Sequence, residues 1–111
     1  MSWESGSPVQ RLRLDYASTN VGDTDWVLVG QVTQSARIVE IFDSGVKAME
    51  LKIDDAAGTG ATNIQMYVMP GGNGRINLNL DGGGTGNNLY IRCIEAGVTV
   101  STGQFLMNIF N

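Results

Sequence analysis

The chain predicts an all-β protein, a two-sheet antiparallel β-sandwich with an eight-stranded jelly roll as its leading arrangement, on three observations. Eight short runs alternate apolar with polar residues, as strands with one buried face do. Glycine-rich turns separate them, and the 111 residues include 15 glycines. No window carries the apolar period of about 3.6 residues that marks an amphipathic helix. Strands this short, about a dozen residues apart, close most simply as two packed antiparallel sheets. An open barrel and an immunoglobulin-like sandwich are the alternatives.

The first run, 9–16, sets Gln10, Leu12, Leu14 and Tyr16 against Arg11, Arg13 and Asp15, the pattern of a strand with one wet face. A polar stretch over 17–25 leads to two runs dense in β-branched and aromatic residues, 26–32 and 37–42. Asp43-Ser44-Gly45 reads as a short turn into 47–53, and so as a hairpin, with Met49, Leu51 and Ile53 on one side and Ala48, Glu50 and Lys52 on the other. A loop over 54–62 precedes the fifth run, 63–69. Pro70-Gly71-Gly72-Asn73-Gly74 then leads into 75–80, where Ile76, Leu78 and Leu80 alternate with Arg75, Asn77 and Asn79. These two runs read as the clearest strand pair in the chain. A second glycine-rich loop over 81–87 precedes 88–94, and 103–110 closes the series with Phe105, Met107 and Ile109 on one face.

One domain of this length buries roughly two thirds of the surface its unfolded chain exposes. Residues 9–111 are expected to form that domain and 1–8 a flexible N-terminal arm. The single cysteine, Cys93, has no intramolecular partner and reads as a buried small hydrophobe in a reducing compartment. The N-terminus lacks the basic start and apolar core of a signal peptide, and no stretch approaches the ~20 apolar residues of a membrane-spanning helix, so no membrane partner is expected. Eleven acidic and seven basic residues give a net charge of −4 with the signs interspersed. That balance offers no basic stripe for a phosphate backbone, and nucleic acid is not an expected partner.

Catalysis finds few side chains to use. The sequence has no histidine, which removes Ser-His and Cys-His nucleophile pairs and histidine metal ligands. The carboxylate pairs Asp54-Asp55 and Asp23 with Asp25 read as solvated turn residues, without the spacing of a calcium loop. The paired glycines sit between strand patterns, and no helix start with a following lysine makes them a phosphate cradle. No enzyme activity, cofactor or metal is therefore expected. Trp26 opens an apolar strand and is expected in the core. Trp3 lies in the polar arm, where docking onto another subunit is one outcome and disorder the other. With Phe105, Met107 and Ile109 inward, Leu106 and Phe110 fall on the opposite face, as do Tyr67, Met69, Tyr90 and Ile94 on their strands. Some apolar surface is thus expected to await a partner.

Several of these segments also carry a resemblance. Arg13-Leu14-Asp15-Tyr16, the run 38–43 followed by Ser44-Gly45, Pro70-Gly71-Gly72-Asn73-Gly74-Arg75, Leu89-Tyr90-Ile91-Arg92, Gly103 and the closing Asn108-Ile109-Phe110 together resemble the capsid-decorating staple proteins of epsilon-type short-tailed bacteriophages. The resemblance spans nearly the whole chain but rests on turn and strand signatures. It implies a jelly-roll virion protein on the outer surface of an icosahedral capsid, made in the host cytoplasm, which clamps neighbouring major capsid protein subunits near two-fold positions, where it self-associates as a dimer. The contact residues expected on that reading are Trp3, Arg11, Arg13, Asp23, Asp25 and Asn73. A carbohydrate-binding module and a tail-fibre accessory domain are the alternative readings of the same sandwich.

Overall fold

All eight predicted strands form, within a few residues of the expected bounds, in a computed structural model that describes residues 7–33, 36–55, 64–77 and 87–110. They are β1 (Gln10–Asp15), β2 (Val27–Val32), β3 (Ile38–Asp43), β4 (Met49–Asp55), β5 (Ile64–Val68), β6 (Asn73–Asn77), β7 (Asn87–Cys93) and β8 (Gln104–Phe110). There is no helix among the described residues. Two antiparallel four-stranded sheets pack face to face, one in the order β1-β8-β3-β6 and the other in the order β2-β7-β4-β5.

The pairing is nested: β1 with β8, β2 with β7, β3 with β6 and β4 with β5. Only β4 and β5 are paired neighbours in sequence, which corrects two expectations. Asp43-Ser44-Gly45 does not close a hairpin, because both edges of β3 are already taken by β6 and β8. A tight hairpin turn needs positive φ at one or both central residues, and among the described residues only Gly71, Gly97 and Gly103 have it. The chain therefore crosses to the other sheet instead of reversing. The β5–β6 link is also a crossing. Gly72 N–H donates to Met69 C=O at 2.8 Å, with Pro70 and Gly71 (φ 67°) at the two central positions, the residue choice of a type II turn. Asp54 and Asp55, expected in a loop, instead extend β4.

The inward residues of both sheets make one core. Leu14, Val39, Ile41, Phe105, Met107 and Ile109 come from one sheet, and Val32, Met49, Leu51, Ile53, Leu89, Ile91 and Cys93 from the other. Each fully buried aliphatic side chain contributes about 1.5–3 kcal/mol of transfer free energy. Cys93 is buried and free, as its apolar run predicts. Trp26 does not join this core. It is half-buried on the outer side, with cations from β4 and β7 against its ring. Phe110 corrects a second surface expectation. Its place in β8 faces it outward, but it is 6 % exposed, with the Arg75 guanidinium 5.9 Å from the ring centroid.

The crossings between sheets are bonded to one another. Tyr16 N–H donates to Gly103 C=O (3.0 Å), Val21 and Val100 exchange two bonds, Asp43 N–H donates to Gly72 C=O (2.9 Å) and Gly71 N–H to Gly45 C=O (3.2 Å). Ser44 N–H donates to Gln104 C=O at 2.9 Å, drawing a third crossing into the same corner. Gly103 is required there. Its φ is +96°, and a Cβ would stand 2.7 Å from Ser44 O. Gly103→Ala is expected to cost about 2 kcal/mol, read as a fall in Tm of roughly 10 °C by differential scanning calorimetry.

Candidate functional site

The two outward faces, and not a cleft, concentrate the exposed chemistry. On the β1-β8-β3-β6 sheet, cross-strand pairing aligns Arg13, Leu106, Phe42 and Asn73 in one row and Arg11, Asn108, Glu40 and Arg75 in the next. Arg75 bonds Glu40 at 3.1 Å. Arg11 and Arg13 are exposed and make no ion pair among the described residues, while Phe42 between them and Asn73 is 40 % exposed. The face thus offers an apolar centre with unpaired cations at one edge.

Across the β2-β7-β4-β5 sheet, a row of four side chains runs from Trp26 through Arg92 and Glu50 to Tyr67. Arg92 pairs with Glu50 and Glu50 with Tyr67 in register, and the Arg92 guanidinium carbon lies 4.2 Å from the Trp26 ring centroid. Arg92 Nε donates to Glu50 Oε2 at 3.0 Å. Lys52 approaches the Trp26 and Tyr90 rings at 4.6 and 5.3 Å. Cation–aromatic contacts of this kind contribute about 0.5–1 kcal/mol each at the surface and hold the rings in place. Leu28, Tyr67, Met69 and Ile94 on this sheet are exposed, as expected for the last three, whereas Tyr90 is half-buried. A depression of about 320 Å³ opens beside the row, lined by Asp23, Glu50, Tyr67, Arg92 and Ile94.

The edges differ. On one side Gln10 joins the sheets: its Nε2 donates to Gln31 C=O at 2.6 Å and its Oε1 accepts Thr33 N–H at 2.9 Å. On the other, β5 and β6 leave a groove of about 220 Å³ lined by Ile41, Val68, Met69 and Ile76.

Of the residues singled out from the sequence, Arg11, Arg13 and Asn73 share the first face. Asp23 and Asp25 lie in the β1–β2 crossing, apart from them. Asp23 accepts Gly97 N–H at 2.8 Å, and that bond, aided by Arg92, holds its carboxyl below the usual aspartate range. It is a loop tie whose side chain also rims the depression. Trp3 and Gly82-Gly83-Gly84 lie outside the described residues. Sequence reasoning missed the Trp26–Arg92–Glu50–Tyr67 row and the exposure of Phe42. The outward positions of Phe42, Glu50, Tyr67 and Arg92 could be read from alternation, but their adjacency needed the strand order.

One buried acid stands apart from both faces. Asp43 is 3 % exposed. Its Oδ1 accepts Tyr16 O–H (3.1 Å) and Gly45 N–H (3.0 Å), and its Oδ2 has no hydrogen-bond partner among the described residues. Burial raises its pKa against the opposing pull of those donors, and raises that of Tyr16 far above the ordinary phenol. The group ties chain crossings together and opens onto neither depression.

Comparison with family models, curated proteins and solved structures finds no significant match to this chain.

A raised carboxyl pKa means the folded state holds the Asp43 proton more tightly than the unfolded state does. Its favourable contribution is therefore complete in acid and is lost as pH rises through the folded pKa. Asp43→Asn keeps the acceptor for Tyr16 and Gly45 without the charge. The difference in Tm between Asp43→Asn and wild type is expected to favour the variant most at neutral pH and to shrink as pH falls toward 4. Thermal melts of both proteins across that range check it.

Proposed function

We propose that this protein is a non-catalytic structural virion protein that binds the outer surface of an icosahedral phage capsid and clamps neighbouring major capsid subunits. The observation that carries the reading is the β1-β8-β3-β6 face, where Arg11 and Arg13, exposed and without an ion pair among the described residues, lie at the edge beside the apolar pair Leu106 and Phe42. The resemblance of the strand and turn segments to staple proteins gives it a biological setting. We read the nested strand order as a jelly roll, the fold which that resemblance implies.

The chemistry of the contact follows from the strand. Arg11 and Arg13 are two residues apart on one side of β1, which spaces their side chains about 6.8 Å apart. That spacing matches two carboxylates at alternate positions of a partner strand, each able to take a bidentate guanidinium. Phe42 supplies the aromatic anchor that interfaces favour at their centres. The molecule measures 39 × 36 × 20 Å, broad and flat enough to lie across a junction between two subunits.

A clamp that binds only correctly spaced subunits stabilises the assembled shell by mass action. Two modest contacts suffice when they are linked, because the second forms at high effective concentration. Self-association as a dimer at two-fold positions would double the number of linked contacts. The route is synthesis in the host cytoplasm followed by addition to the shell.

Co-sedimentation with expanded, decoration-free shells of an epsilon-type phage, followed by imaging, tests the reading. Saturable binding at two-fold positions is the expected result, and no binding sinks it. Reversing both arginines, Arg11→Glu with Arg13→Glu, is expected to weaken shell binding roughly tenfold or more, and rising salt to weaken the wild-type contact in the same direction.

A further inference from the structure

Where the chain leaves β3, residues 45–47 cross toward the other sheet directly over a buried acid. Asp43 is 3 % exposed, and its Oδ2 is enclosed without a hydrogen-bond partner among the described residues. Gly45 lies against it: a Cβ there would stand 3.2 Å from Asp43 Oδ1 and 3.0 Å from the Tyr16 ring. Ser44, before the crossing, is fixed by Gln104, whose C=O accepts Ser44 N–H and whose N–H donates to Ser44 Oγ, both at 2.9 Å. Ala48, after it, accepts Ile94 N–H at 3.2 Å. Between these anchors the described residues supply two hydrogen bonds, both at Gly45. Its N–H donates to Asp43 Oδ1 at 3.0 Å, and its C=O accepts Gly71 N–H at 3.2 Å. Val46 is 64 % exposed, and Lys47 makes an exposed ion pair with Glu95. The segment is held at its ends and lightly in its middle, where one of its two partners is the acid itself.

We propose that residues 45–47 form a proton-operated strap, closed over neutral Asp43 and opened to water when Asp43 ionises. A carboxylate spreads its charge over two oxygens, and in the closed corner one has two donors and the other none. The neutral acid leaves one O–H unpaired, a smaller loss than an unpaired charge. The surrounding elements bring no compensation. Tyr16, at the end of β1, donates its hydroxyl, and Cys93 of β7 acts on that phenol in the sense that keeps it neutral. Gly71, Gly72 and Gln104, from the approaches to β6 and β8, carry no charge. No cation pairs with Asp43 among the described residues.

Lifting the strap brings water to Oδ2 at the cost of the two bonds at Gly45. Burial raises the Asp43 pKa in the closed corner, so closure and proton uptake are linked. The strap holds most tightly in acid and loosens as pH rises above the ordinary aspartate value of about 3.9. Loosening ends once pH passes the closed-state value. The strap adjoins the outward row of the first face, because Asp43 follows Phe42 and its N–H donates to Gly72 C=O, beside Asn73. Its effect on a partner seated on that row rests on the function proposed above. The strap itself does not, and its test uses the soluble full chain without shells.

Amide hydrogen exchange followed by NMR from pH 4 to 7.5, corrected for the intrinsic pH dependence of exchange, reads the opening directly. Protection of the Gly45 and Gly71 amides is expected to fall about threefold or more as pH rises, while staying well below that of the β4–β7 ladder. In Asp43→Asn the same amides are expected to keep one protection value across the range. Protection that is flat in wild type overturns the proposal, as does a pH dependence that survives in Asp43→Asn. Gly45 and Gly71 amides that exchange only together with the ladder also overturn it, since the opening is then global unfolding. A second measurement needs no variant: the Asp43 carboxyl carbon of the wild-type protein is titrated by NMR. Its midpoint is expected above the ordinary aspartate value with the Gly45 amide shift moving in step, and a midpoint at or below that value overturns the strap.

Discussion

Where the chain passes from one sheet to the other it leaves the strand ladder, and every backbone group there must find another partner or lose roughly the value of a hydrogen bond. This protein answers by bonding the crossings to each other. Asp43-Ser44-Gly45 stands at the meeting point: its backbone reaches Gln104, Gly71 and Gly72, and the Asp43 carboxylate reaches Tyr16 at the end of β1. Four separate crossings are thereby fixed in one corner. The arrangement explains a buried acid that would otherwise be a net cost. Asp43 accepts the Tyr16 O–H and the Gly45 N–H, and the expense is the desolvation that raises its pKa.

The nested pairing that this corner stabilises decides what the surface looks like. Because β8 lies between β1 and β3, Leu106 comes to rest between Arg13 and Phe42. Because β7 lies between β2 and β4, Arg92 comes to rest between Trp26 and Glu50. Each face is assembled from residues far apart in sequence. One face presents Arg11 and Arg13 at the edge of an apolar centre, and the other a row in which the Arg92–Glu50 pair stands between two aromatic rings.

The edges fit the same division. Gln10 closes one side of the sandwich by bonding the backbone of the facing sheet, which spends polar groups that an open edge would leave unpaired. The other side, between β5 and β6, stays parted over Ile41, Val68 and Ile76.

Alternation along the chain determined a good deal by itself. It located eight strands, put Leu14, Met49, Leu51, Ile53, Phe105, Met107 and Ile109 inside, and placed Tyr67, Met69 and Ile94 outside, because a side-chain period of two follows from the local geometry of an extended backbone. Cys93 was legible as core for the same reason. Local pattern carries no information on which strand lies beside which, so two turns read as reversals proved to be crossings. Trp26 was misplaced because an aromatic at the head of an apolar run looks like core until cations from two other strands are found against its ring. Phe110 was misplaced in the opposite sense, since only the fold decides whether an outward position is covered. Single outward residues could thus be read from the sequence. The rows they form, and with them the chemistry of both outward faces, were decided by tertiary structure, because cross-strand neighbours are set by register between segments that the chain itself holds far apart.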